Sequence, residues 1–212
     1  MLLIRRPMAI KPTGQTAALC TSAQLAYSPA MGHTPEDSAL MLRYRDGDTA
    51  AFEVLYRRHN DALYRYLLRL SRQPTTAEDV FQDVWGKIIK ARASYRPTAK
   101  FTTYLYRVAH NCFIDHVRRN KRHAKNDEFE PELHADPAES PDITTERSLA
   151  KERLSLALLD LPEEQRDAFL LHEEAGLNID QIASVTGSNR ETAKSRLRYA
   201  IGKLRTAIEE PQ

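Results

Sequence analysis

The sequence predicts an all-α protein: two small helical domains joined by a flexible acidic linker, the C-terminal one a helix-turn-helix. Three observations carry this. Apolar residues recur at steps of three and four through two long stretches. Strand-type alternation is absent. Between Asn126 and Glu146 the composition flips to eight acids and three prolines with no Lys or Arg, which makes a linker rather than a packed unit.

Residues 1–34 hold Pro, Ser, Thr and Gly without periodicity and predict a disordered extension. Met31 lies just before the first patterned stretch, so a mis-called start codon is an alternative account of that extension. The first domain is expected over 35–125. "AAFEVLYRRHNDALYRYLLRL" places Phe52, Leu55, Tyr56, Leu63, Tyr66, Leu67 and Leu70 at helical spacing. "TTAEDVFQDVWGKIIKA" opens with a capping-box pattern, Thr75 and Glu78. "FTTYLYRVAHNCFIDHVRRNKR" follows the break at Pro97 as a third helix. After the linker over 126–146, the second domain is expected over 147–209. There Pro162 fits a first helical turn, and Glu163 and Glu164 sit favourably at the positive end of the helix dipole.

The helix-turn-helix comes from "LNIDQIASVTGSNRETAKSRL". Asn178 caps a short helix with Gln181 as its capping-box partner, and Ile179, Ile182, Ala183 and Val185 form its apolar side. Gly187 stands where a helix ends in a left-handed residue, and Asn189 caps the next helix. That helix holds six Lys/Arg and one acid over 189–205. Ala193, Leu197, Ala200, Ile201 and Leu204 are expected to form its core row. Arg190, Glu191, Thr192, Lys194, Ser195, Arg196 and Arg198 lie away from the row, near the end that such a helix presents to the DNA major groove.

Composition narrows the function classes. The net charge of +2 gives no global basic field, so nucleic-acid binding must come from local segregation of charge. A mean hydropathy of −0.56 and 28% charged residues fit a soluble chain. No apolar run approaches the roughly 20 residues that span a bilayer. "MLLIRRPMAI" is interrupted by Arg5, Arg6 and Pro7, too short for a secretory segment. Cys20 and Cys112 make neither a disulfide framework nor a zinc knuckle, and Cys112 falls on a core position. A cytoplasmic location is expected.

Two further surfaces stand out. On the helix 75–91, Val80, Val84 and Ile88 form an apolar line widened by Phe81 and Trp85, while Asp79, Gln82, Asp83 and Gly86 share the other side. Such an acidic stripe is commonly just solvated; functionally it suits a basic partner. Two carboxylates one turn apart are a poor cation site. On the helix from Phe101, Tyr104, Leu105, Val108 and Cys112 face inward, and Arg107, Asn111 and Arg118 lie opposite, extended by Arg119, Lys121, Arg122 and Lys125. Aromatics beside a basic helix suit single-stranded nucleic acid, where rings stack bases and cations hold phosphate, at about 1–3 kcal/mol per stacked base. Spacing assigns Phe101 and Tyr104 to the core and leaves Tyr95 and Tyr106 as base-contact candidates. His110 and His116 diverge around their helix, and "LHEEAG" at His172 lacks a second His for a zinc site. No nucleophile motif or Gly-rich phosphate loop is present, so no catalytic residue, metal or cofactor is expected.

In order, "GDTAAFEVLYRRH", "AEDVFQDVW", "FTTYLYRVAHNCFIDHVRR", "LPEEQRDAFLL" and "IASVTGSNRETAKSRLRYAIGKLR" resemble the blocks of extracytoplasmic-function (ECF) sigma factors, the RpoE-like branch of the bacterial sigma-70 family. The resemblance runs from about Glu36 to Ile208. It implies that 35–125 is sigma domain 2 and 147–209 is sigma domain 4. It further implies that Asp79, Gln82, Asp83 and Trp85 dock on the clamp helices of the largest subunit of core RNA polymerase. Tyr95, Tyr106, Arg107, Asn111, Arg118, Arg119 and Arg122 would capture the melted −10 element. The helix from Asn189 would read the −35 element as duplex, through Arg190, Glu191, Thr192, Lys194, Ser195, Arg196 and Arg198. The acidic linker would thread a basic polymerase channel, and an anti-sigma factor is an expected partner. Glu191 and Arg190 depart from the family's small and hydrophobic residues at those positions, which leaves the promoter sequence open. Two other readings compete: a freestanding helix-turn-helix regulator, dimeric on a palindromic operator, and a nucleic-acid enzyme using Glu78, Asp79 and Asp83.

Overall fold

Local signals set most helix ends. Asp48 accepts a hydrogen bond from the Ala51 amide at 3.2 Å and starts α2 (Thr49–Ser71), which follows the short α1 (Asp37–Arg45). Helix α2 ends at Arg72, a non-glycine residue in the left-handed region (φ 63°), whose amide donates to the Leu68 carbonyl at 2.9 Å. Helix α3 (Pro74–Ala91) begins one residue before the expected Thr75, which therefore does not cap it. Pro74 at the first helical position has its φ already set, and the cap passes to Gln73, which makes no side-chain capping bond. A single 3-10 turn (Arg92–Ser94) and the Pro97 break lead into α4 (Phe101–Ala124).

In this computed structural model the described residues are 35–124 and 153–209; the expected extension over 1–34 and the linker over 126–146 lie outside them. Helix α5 is described over 153–159. It is followed by α6 (Glu163–Glu173), α7 (Ile179–Thr186) and α8 (Arg190–Glu209). No strand occurs among the described residues. Pro162 is the N-cap of α6 rather than inside it, with Glu163 and Glu164 in the first turn as the dipole favours. The capping box of α7 is complete: Asn178 Oδ1 accepts from the Gln181 amide and Gln181 Oε1 from the Asn178 amide, both at 2.9 Å. Gly187 closes α7 at φ 65°, and Asn189 Oδ1 accepts from the Thr192 amide at 2.7 Å to start α8.

Helices α1 to α4 pack on one another, and α5 to α8 form the C-terminal group. Phe52 and Tyr56 of α2 meet Trp85 of α3 at ring separations of 5.7 and 5.0 Å. Tyr66 of α2 meets Tyr106 of α4 edge-on at 5.2 Å. The two groups are not held apart. One continuous core joins Leu55, Leu63, Val84 and Leu105 to Leu170, Leu171, Ile182 and Leu197, with α6 against α2 and α7 against α4. A smaller cluster of Leu158, Leu161, Ala200 and Leu204 seats α8 against the start of the C-terminal group. Of the core row expected on α8, Ile201 falls out: it is 36% exposed, because Ala200 and Leu204 take the centre of the contact.

A Cβ at position 187 would meet nothing within 4 Å, so Gly187→Ala tests backbone conformation alone. It should lower unfolding free energy by about 1–2 kcal/mol in a urea titration, and Gly187→Asn by less, because Asn tolerates the left-handed region.

Candidate polymerase and nucleic-acid interfaces

Three surfaces were expected to carry function. On α3, Asp79, Gln82 and Asp83 are exposed, as the stripe requires. Trp85 is not part of that surface. It is 5% exposed, enclosed by Phe52, Tyr56 and Phe81, and its indole N–H is buried without a hydrogen-bond partner. The i+4 step from Phe81 puts it on the apolar side, as its place beside Val84 and Ile88 already suggested. Asp83 lies 3.4 Å from the Arg119 guanidinium, both half exposed. The acidic stripe therefore runs directly into the basic face of α4.

On α4, Arg107, Asn111, Arg118, Arg119 and Arg122 are all exposed. The two rings expected to contact bases are not. Tyr95 is 4% and Tyr106 1% exposed. Tyr95 closes the end of the bundle against Phe101 and Tyr104, at 6.5 and 5.3 Å. Tyr106 is covered by Tyr66 and faces Glu174, and burial pushes its phenol well above the usual range, with Glu174 adding to the shift. Tyr104, assigned to the core from spacing, is half-buried. It lines an open groove of about 640 Å³ with Lys87, Asn111, Asp115, Arg118 and Thr186. The spacing argument failed here because α4 is buried on two sides, by α2 and by the C-terminal helices.

On α8, Arg190, Glu191, Lys194 and Arg198 are exposed, and Thr192, Ser195 and Arg196 half-buried. Glu191, Thr192, Ser195, Arg196 and Tyr199 line an open depression with Asn189 and Gln165. Asp180 of α7 accepts from Arg190 Nε at 2.8 Å and holds the guanidinium at the start of the helix. The Arg198 guanidinium lies over the ring of Tyr199, 5.1 Å from its centroid, leaving a cation and a ring side by side on open surface.

Sequence reasoning missed a fourth constellation, the polar seam between the two helical groups. Arg166 and Asp167 of α6 are each 5% exposed. Arg166 donates to the carbonyls of Leu158, Leu161 and Leu70 at 3.0, 2.9 and 3.1 Å. Burial pushes its guanidinium down to about 10, so it remains charged at neutral pH. Asp167 accepts from the Tyr66 hydroxyl at 2.7 Å, and its second oxygen is 2.9 Å from His110 Nδ1, outside hydrogen-bond alignment. Burial, with Asp167 beside it, raises the Tyr66 phenol far above its ordinary value. Two turns further, Glu174 pairs with Arg65 at 3.0 Å and with Arg69. A signal existed: Arg166 stands four residues before Leu170, and Asp167 four before Leu171, so both lie on the apolar side of α6.

Two phenols held protonated by burial bind protons that the unfolded chain releases above about pH 10, so folded stability should fall as pH rises past that point. The urea midpoint should drop between about pH 8 and about pH 11, and Tyr106→Phe should make the decline shallower.

Residues 55–123 match sigma-70 region 2 and residues 151–204 match sigma-70 region 4. The chain is 31% identical to the ECF RNA polymerase sigma factor SigM of Mycobacterium tuberculosis, over 85% of this chain and 90% of that protein. It is likewise 31% identical to the RNA polymerase sigma factor CarQ of Myxococcus xanthus, over 80% and 96%. In fold it resembles the sigma factor RpoE of Bartonella quintana, solved in complex with the anti-sigma factor NepR. That match has a TM-score of 0.64 at 22% identity, covering 76% of this chain and 98% of that one. CnrH, solved with the cytosolic domain of CnrY, matches with a TM-score of 0.59 at 21% identity, over 82% and 97%.

Proposed function

This chain belongs to the ECF sigma factors of the sigma-70 family and directs promoter-dependent transcription initiation, and we propose that it divides the work between three exposed surfaces. The observation that carries this division is the segregation of charge. An acidic stripe lies on α3, a basic face on α4, and a second basic face at the capped start of α8. Net charge of +2 means that none of the three is a by-product of a generally basic protein.

Asp79, Gln82 and Asp83 dock on the clamp helices of core RNA polymerase, a contact between an acidic stripe and a basic partner. Trp85 contributes from beneath, fixing the pitch of α3 through its ring contacts with α2. The start of α8 reads the −35 element as duplex. Lys194, Arg196 and Arg198 hold phosphates, which gives affinity without sequence. Arg190, steadied by Asp180, presents a planar fork suited to guanine O6 and N7. Glu191, Thr192 and Ser195 complete the base-facing turn; an acid there suits the N4 amine of cytosine.

On α4, Arg107, Asn111, Arg118, Arg119 and Arg122 track the phosphates of the melted −10 strand. Tyr104 offers a ring at the groove to stack a base, a part that Tyr95 and Tyr106 take only once uncovered. Binding a strand better than a duplex is what drives opening: free energy gained only on melted DNA shifts the equilibrium towards it. The linker over 126–146 carries its acids through a basic polymerase channel. The chain acts beside cytoplasmic polymerase as a non-enzymatic subunit without cofactor or metal. No helix among the described residues is long and apolar enough to cross a membrane. Its fold neighbours were solved with anti-sigma partners, and an anti-sigma factor is proposed for this chain as well. Family membership sets aside the operator-binding dimer and the nucleic-acid enzyme, because neither uses the acidic stripe together with both basic faces.

Asp79→Lys with Asp83→Lys should abolish co-elution with core polymerase while circular dichroism stays unchanged; a variant that still co-elutes removes the docking assignment. Arg196→Glu with Arg198→Glu should leave co-elution intact and weaken −35 duplex binding. It should also flatten the plot of log affinity against log salt by about 2. An unchanged slope places those side chains off the phosphates.

A further inference from the structure

Helix α6 faces α8 along a row that begins at Gln165. Phe169, one turn on, packs against the cluster of Leu158, Leu161, Ala200 and Leu204 that seats α8. Gln165 lies where this row reaches the basic half of α8, and it lines the depression there with Thr192, Ser195, Arg196 and Tyr199. Its backbone is well fixed. The Gln165 amide donates to the Pro162 carbonyl at 2.9 Å, and the adjacent Arg166 is anchored to three carbonyls. Its side-chain carbonyl, by contrast, is buried with no hydrogen-bond partner. A buried acceptor without a donor destabilises the fold, a cost that is offset at a binding site where the donor arrives with the ligand.

A donor stands on the same wall. Arg196 is half-buried and has no hydrogen-bond or ionic partner among the described residues. The neighbouring arginines differ: Arg190 is held by Asp180, and Arg198 lies over the ring of Tyr199. We propose that Gln165 is a positioning residue for duplex binding: as DNA arrives, Arg196 gives one edge of its guanidinium to the Gln165 carbonyl and the other to a phosphate. A guanidinium carries five donors in a planar fork, enough to serve both acceptors at once. The short hydroxyls of Thr192 and Ser195 are fixed on the helix and have not closed on the carbonyl, whereas the long Arg196 side chain can swing to it. Because the bond is absent from the free protein, its free energy counts wholly towards binding. Helix α6 thereby acts on the −35 contact without touching DNA.

This inference rests on the assignment of α8 to duplex, and the variants are chosen to tell the two apart. The probe is a duplex enriched from a random-sequence pool on the wild-type full-length chain, with binding read by fluorescence anisotropy. Gln165→Leu replaces the carboxamide with an apolar side chain and removes the orphaned carbonyl. The urea midpoint should hold or rise, while affinity for the duplex should fall about tenfold. A residue with only a packing role would lose stability and binding together. Salt dependence gives a second readout. Gln165→Leu should flatten the plot of log affinity against log salt by up to about 1, although the side chain is neutral, because it acts through a cation. Arg196→Ala should flatten it equally, and adding Gln165→Leu to that variant should cost little more. If Arg196→Ala leaves affinity and slope unchanged, the phosphate assignment on α8 fails and takes this inference with it. If Arg196→Ala weakens binding but Gln165→Leu does not, or if the two losses add in full, the inference alone falls. A lower urea midpoint with weaker binding and an intact slope would also overturn it, by making Gln165 a packing residue.

Discussion

The arrangement depends on a pair of adjacent charges, Arg166 and Asp167, buried where α6 meets α2. Taking both out of water costs several kcal/mol unless each is fully engaged. Here the guanidinium donates to three carbonyls and the carboxylate accepts the Tyr66 hydroxyl. Two of the three carbonyls precede α6 and the third closes α2, so one side chain fixes both the entry of α6 and its seat on the first helical group. From that anchor follow the position of Glu174 two turns on and the approach of α7 to α4.

The same geometry explains why the three candidate surfaces differ in availability. The stripe on α3 is exposed, with Asp83 beside Arg119 of α4. The start of α8 is also free, because α8 uses Ala193, Leu197, Ala200 and Leu204 to pack and turns its basic side outward. Only α4 is claimed twice. It supplies core contacts to α2 and α3 on one side and receives α7 on another, so its polar face is divided between solvent and the helix-turn-helix. A sigma factor must meet a basic protein, a double helix and an unpaired strand. On α4 the polar side chains Arg107, Asn111, Arg118, Arg119 and Arg122 stay exposed beside α7, whereas Tyr95 and Tyr106 are buried.

Trp85 and the tyrosines show how far residue type can mislead about a site. Trp85 belongs to a row of aromatics between α2 and α3, and it lies beneath the acidic stripe rather than in it. Tyr95 and Tyr106 have the chemistry of base-stacking residues, yet both pack against other rings. Large amphipathic rings are equally suited to both uses, and the sequence around them does not say which helix will cover them.

The sequence alone determined the elements whose causes are local. The capping box at Asn178, the left-handed glycine at 187 and the cap at Asn189 were legible because each depends on residues within four positions of one another. The apolar rows of α2, α3 and α4, the acidic stripe and the cations of α8 were legible for the same reason: helical periodicity fixes a side chain's direction relative to its own helix. Tertiary structure alone decided which directions meet. Glu174 is 105 residues from Arg69, and Arg166 is 96 from the Leu70 carbonyl, separations at which no periodic pattern carries information. Whether a face is surface or seam depends on a second helix arriving there, and that is a property of the packed core rather than of any stretch of chain.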